Sequence, residues 1–92
     1  ALRGIGMVRY ETGMLAWSLA GHDKHRLYVV TGVEEEYVYL CDGRLKPLER
    51  PKKKNIRHIQ IRHEIPEELQ GKTTETMKNE EIRRVIRRFS NV

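Results

Sequence analysis

Between Arg50 and Asn55 the chain reads Arg-Pro-Lys-Lys-Lys-Asn, four cations in six residues with a proline that limits the flexibility of the segment. Lysine carries a compact charge that suits a phosphate oxygen without demanding one geometry, so Lys52, Lys53 and Lys54 are candidates for contact with a polyanion. Arg57 and Arg62 follow and Arg44 and Lys46 precede, extending the same patch. Residues 44–62 carry a formal charge of +7, against −2 for 1–43, −2 for 63–74 and +2 for 75–92. Charge confined in this way favours an electrostatic footprint, the bland alternative being a solvated, solubilising face. Lys24 and Arg26 belong to a second polar cluster, His22-Asp-Lys-His-Arg26, which is either a binding loop or an ordinary turn. Arg83, Arg84, Arg87 and Arg88 form a third group near the end of the chain.

Other chemistries find little support. His22 and His25 have a His-x-x-His spacing, but His58 and His63 complete no recognised zinc pattern with them, so neither metal nor cofactor is expected. Cys41 sits in an apolar run and reads as a packed small hydrophobe rather than a nucleophile, and a lone cysteine cannot form an internal disulfide. No glycine-rich phosphate loop, Ser/His/Asp set or paired carboxylates stand out, so the expectation is a non-enzyme. Trp17, Tyr28, Tyr37 and Tyr39 are chemically able to stack on bases. In a chain that is 38% hydrophobic and 34% charged, Trp17 and Tyr28 are more needed for the core. Tyr37 and Tyr39, two apart, share one side of a strand.

These side chains must be positioned by short strands. Residues 1–11 show no period and read as an N-terminal extension. From Thr12 to Leu19 both alternate faces are apolar, Gly21–Lys24 reads as a turn, and Leu27–Val33 is the strongest β signal. Glu34-Glu35-Glu36 reads as an exposed turn, Tyr37–Cys41 as a strand, and Asp42-Gly43 as a hairpin turn. Pro47 and Pro51 confine the next stretch to an edge or a loop. Ile56–Arg62 reads as a last strand. Thr73 or Thr74 is placed to cap a helix beginning at Glu75. On that helix Ile82, Val85, Ile86 and Phe89 make one apolar stripe, flanked by outward arginines. The helix either docks on the strands or projects toward a partner.

The run Gly13-Met-Leu-Ala-Trp-Ser-Leu-Ala-Gly21-His-Asp-Lys-His-Arg-Leu-Tyr-Val-Val30 resembles a KOW motif, found in large-subunit ribosomal proteins and transcription elongation factors. Tyr37–Arg44 and Glu49-Arg-Pro-Lys-Lys-Lys-Asn-Ile-Arg-His58-Ile strengthen the likeness. Together they resemble bacterial KOW-domain proteins related to a eukaryotic and archaeal large-subunit ribosomal protein family. The resemblance covers residues 12–62, and His25 stands where the family usually has a turn glycine. It implies a mainly β fold, an SH3-like barrel of the KOW type over 12–65; the periodicity of the tail adds a linker and a basic amphipathic C-terminal helix over 66–92. It also implies binding to RNA, above all ribosomal RNA, and association with the ribosome and translation. A protein-interaction module of the translation or transcription machinery, its basic patch meeting an acidic protein surface, is the alternative. No apolar run approaches the roughly 18 residues that span a bilayer, so a cytoplasmic location is expected.

Overall fold

A computed structural model describes residues 9–90. Residues 1–8, most of the expected extension, lie outside the described residues; Tyr10 already packs against the core. Five strands form one antiparallel sheet: β1 (Leu15–Ser18), β2 (Leu27–Glu34), β3 (Tyr37–Cys41), β4 (Lys52–Asn55) and β5 (Ile59–Arg62), in the order β4-β3-β2-β1-β5. A single helix, α1 (Asn79–Ser90), follows.

The two edge strands are consecutive in sequence, separated only by a 3-10 turn at Ile56–His58. In a flat sheet β4 and β5 would stand four strand spacings apart, about 19 Å. The four residue steps from Asn55 to Ile59 reach at most about 14 Å when fully extended. The sheet must therefore curl, bringing its edges toward each other, although β4 and β5 share no ladder. A register shift between Val30 and Gly32 in the β2–β3 pairing adds to the bend.

Curling gives the sheet an inner and an outer face, and both are apolar. Ala16, Tyr28, Val30, Val38, Leu40 and Ile59 form one buried cluster. Leu15, Val29 and Cys41, one residue out of step with these, join Leu69, Met77, Ile82 and Val85 in the second. The even apolarity of Thr12–Leu19 reflects this arrangement. α1 is the cover of the outer face, so it docks rather than projects. Ile82 and Val85 are fully buried, and Ile86 and Phe89 pack beside them, as the stripe requires.

Of the two states the prolines allow, edge or loop, the lysine run takes the edge, as strand β4: Leu40 pairs with Lys52 and Tyr37 with Asn55. Three local expectations are corrected. Asp42-Gly43 does not close a tight hairpin but opens a longer connection. There Asp42 Oδ1 accepts from the backbone N–H groups of Arg44 (2.9 Å) and Lys46 (2.8 Å). The expected strand 56–62 begins as the 3-10 turn, whose first free N–H, that of Arg57, is taken by Asn55 Oδ1 at 2.9 Å. The helix starts at Asn79 rather than Glu75, because Thr73–Thr76 closes its own turn. Lys78 then acts as the cap, its carbonyl accepting from Glu81 and Ile82 while Glu81 Oε1 accepts from the Lys78 N–H at 3.0 Å.

Candidate nucleic-acid interface

Strand alternation splits the three lysines. Lys52 and Lys54 turn to the side where Asp23 lies, and Lys53 turns away. Lys54, 9% exposed, donates to Asp23 Oδ1 (3.0 Å) and to the Ala20 carbonyl (2.8 Å). Lys52 Nζ lies 3.1 Å from Asp23 Oδ2. Asp23, 7% exposed, also accepts from Ser18 Oγ (2.8 Å) and Tyr28 OH (3.0 Å). Burial by itself would raise the Asp23 carboxyl pKa, but bonds from Lys54, Ser18, Lys52 and Tyr28 outweigh it and hold the carboxyl well below the usual range. Burial, followed by the bond to Asp23, pushes the Tyr28 phenol up, so it stays a donor. Lys54 is thus a structural cation that locks the 20–26 loop to β4, and it is not presented to a ligand. Of the three lysines only Lys53 is exposed, and its ammonium lies 4.6 Å from the Tyr37 ring centroid, with Glu34 at 4.0 Å. Tyr37 is exposed and Tyr39 half-buried, with its hydroxyl donating to Glu34 Oε1 at 2.6 Å.

A concavity larger than any around the lysines lies elsewhere among the described residues, at the C-terminal end of α1. It is an open groove of about 950 Å³ with an apolar floor of Trp17, Leu27, Ile86 and Phe89. Five arginines line it: Arg26 from the 20–26 loop, Arg44 from the β3–β4 connection, Arg62 from β5, and Arg83 and Arg87 one turn apart on α1. His25 and Ser90 complete the wall with Asp42, its sole carboxylate. Arg83 is oriented by donating to the Gly43 carbonyl at 2.6 Å. Arg62 donates to Glu64 Oε1 at 2.8 Å and lays its guanidinium 4.9 Å from the Phe89 ring centroid. Its Nε is buried without a hydrogen-bond partner. Among the described residues, Arg26, Arg44 and Arg87 form no ion pair and are exposed. In this concave site their charges reinforce one another with little to neutralise them, a setting that concentrates anions.

His25 has φ 76, the left-handed backbone that a turn glycine takes without cost. The loop keeps that conformation with a histidine, and bonds from Ser18 N–H to the Arg26 carbonyl (2.9 Å) and from His25 N–H to the Ser18 carbonyl (2.7 Å) tie it to β1. Gly43, at φ 78, sits where the β3–β4 connection meets α1, and a Cβ there would fall 2.5 Å from the Asn79 carbonyl oxygen. The same connection is held by Leu48 N–H donating to Asn79 Oδ1 at 2.8 Å.

A smaller hollow of about 230 Å³ shares Arg26 and Asp42 with the groove and adds His22, Asp23, Tyr28, Leu45, Lys46 and Lys52. Lys24, Arg50 and Arg57 are exposed but line neither hollow. Arg84 faces Glu80 at 3.7 Å, and Arg88 is engaged by Glu68 through Nε (3.0 Å) and Nη2 (2.6 Å), so both carry compensated charge. The fourteen candidate cations therefore do not form one patch. Sequence reasoning missed Phe89 as a groove residue and weighted Trp17 to the core; Trp17 is only half-buried, packed on the core while lining the groove.

Cys41 is buried, and burial pushes its thiol pKa up, which suits a packing role. Among the described residues no group of three or more His, Cys, Asp and Glu is placed to hold a metal ion. No helix among them is long and apolar enough to cross a membrane. The chain matches no protein-family model and no curated protein.

Proposed function

We propose that this chain is a non-enzymatic, cytoplasmic RNA-binding module of the SH3-like, KOW-type barrel class, and that it associates with ribosomal RNA. The carrying observation is the groove, where arginines from four separate elements converge around aromatic side chains with a single carboxylate among them. Arginine pairs with phosphate through a planar fork and stacks on flat rings, the two properties an RNA contact uses most. The curl of the sheet and the resemblance of residues 12–62 to KOW domains support the barrel reading. The lysine run has a lesser part in the contact than its charge suggests, since Asp23 engages Lys52 and Lys54.

The test is a titration with a structured ribosomal RNA fragment across a salt series. Arg44→Ala/Arg87→Ala is expected to weaken binding at least tenfold. It should also flatten the salt dependence by about 0.7–0.9 log units of affinity per log unit of salt for each phosphate no longer neutralised. Lys53→Ala is expected to change affinity less than threefold. Equal binding by the double variant and wild type would remove the groove from the site, and absence of RNA binding at low salt would remove the function. Co-sedimentation with ribosomal particles separates a ribosomal target from general polyanion affinity.

Leu45, 69% exposed beside the smaller hollow, favours a second reading as a protein-interaction module. On that reading RNA fails to bind, and an acidic ribosomal or transcription protein is retained instead, with Leu45→Ser abolishing retention.

A further inference from the structure

The groove has more than a cationic rim. A site that touches only phosphates needs nothing apolar beneath them, yet here Trp17, Leu27 and Ile86 form a floor open to solvent. The two aromatic rings at the groove differ in what already covers them. Phe89 has the guanidinium carbons of Arg62 and Arg88 at 4.9 and 4.5 Å from its ring centroid. Among the described residues, Trp17 has no cation against its ring. Trp17 is also rigidly held. It lies in β1 between its cross-strand partners Leu27 and Gln60 and packs on the outer core. A half-buried indole that lines a groove rimmed by arginines is complementary to a planar base joined to phosphates.

We infer that the groove seats one unstacked base of single-stranded RNA against Trp17, while the surrounding arginines take the flanking phosphates. A duplex keeps its base faces stacked inside and offers sugar, phosphate and base edges but no free base face to a concave site, so it leaves the floor unfilled. The inference rests on the RNA-binding reading and adds to it a preference for single strands and a named platform.

Trp17 is the chain's single tryptophan, so its fluorescence reports on the site directly. The whole 92-residue chain is titrated at low salt with a short oligouridylate, an abasic ribose-phosphate oligomer of equal length and charge, and a duplex of that length. The oligouridylate is expected to quench Trp17 and bind about tenfold more tightly than the abasic oligomer, the scale of one stacked base. The duplex is expected to leave the fluorescence unchanged. If the abasic oligomer or the duplex binds and quenches equally well, the arginines read backbone alone and the platform is refuted, while RNA binding stands. If none of the three binds, both readings fall. In a Trp17→Leu variant the advantage over the abasic oligomer should vanish with the salt dependence unchanged, whereas Trp17→Phe should keep most of it. Should Trp17→Leu fail to fold, the wild-type comparison still decides.

Discussion

Asp23 shows how a single side chain can reassign a charge cluster. Four groups donate to this largely buried carboxylate, so removing its charge leaves the buried Lys54 ammonium without a counter-charge. Asp23→Asn is expected to lower stability by about 3–5 kcal/mol in urea denaturation, and Asp23→Asn/Lys54→Met to recover much of that deficit. Because the folded pKa of Asp23 is depressed, its stabilisation is complete above the unfolded value near 3.9 and disappears as the pH falls through the folded value. Wild-type stability should therefore be level from neutral to about pH 5 and decline below about pH 4. The Asp23→Asn variant should show a shallower decline, arising from Glu68 and Glu81, whose pKa values Arg88 and Lys72 respectively depress. None of this is visible in the string His-Asp-Lys-His. The aspartate acquires its partners only when β4 comes alongside, 29 residues further on, and sequence spacing carries no sign of that meeting. At Glu35, by contrast, the turn was legible and the residue is ill suited to it: φ is 51. Glu35→Gly should raise stability by about 0.5–1 kcal/mol, read as a higher melting temperature.

Among the elements, the strands with strong β-branched and aromatic content were legible, and β3 spans Tyr37–Cys41 as its composition indicates. β4 was not, because Pro47 and Pro51 mark a break and lysines are poor strand formers. Its strand state is imposed by pairing with β3 and by Asp23 drawing alternate lysines to one side. The stripe of α1 was legible too, but which element it covers depends on the sheet having two apolar faces. The joint between α1 and the β3–β4 connection is a close meeting of backbones. Gly43→Ala combines a left-handed φ with a Cβ 2.5 Å from a backbone oxygen. It is expected to cost about 2–4 kcal/mol and, by shifting Arg44 and Arg83, to weaken RNA binding in proportion. A variant with unchanged stability and unchanged RNA affinity would show that the helix does not need this close approach.

For the whole molecule, the groove exists only because distant parts of the chain converge: Trp17 from the first strand, Arg62 from the last, and Arg83 and Arg87 from the helix. Charge blocks along the sequence pointed to residues 44–62, whereas the fold distributes those cations over several faces and gathers a different set. The pairing of β1 with β5 has a further consequence for time rather than space. Leu15 finds its partner Arg62 only after nearly the whole sheet has been traversed, while β2 and β3 meet across a short turn. Refolding from urea should accordingly be slow for a chain this small, in the range of milliseconds to seconds by stopped-flow fluorescence of Trp17. During synthesis from the N-terminus, β1 waits with one side open until β5 has been made. The interval in which the nascent protein is vulnerable to mispairing is thus set by how fast residues 19–62 are translated.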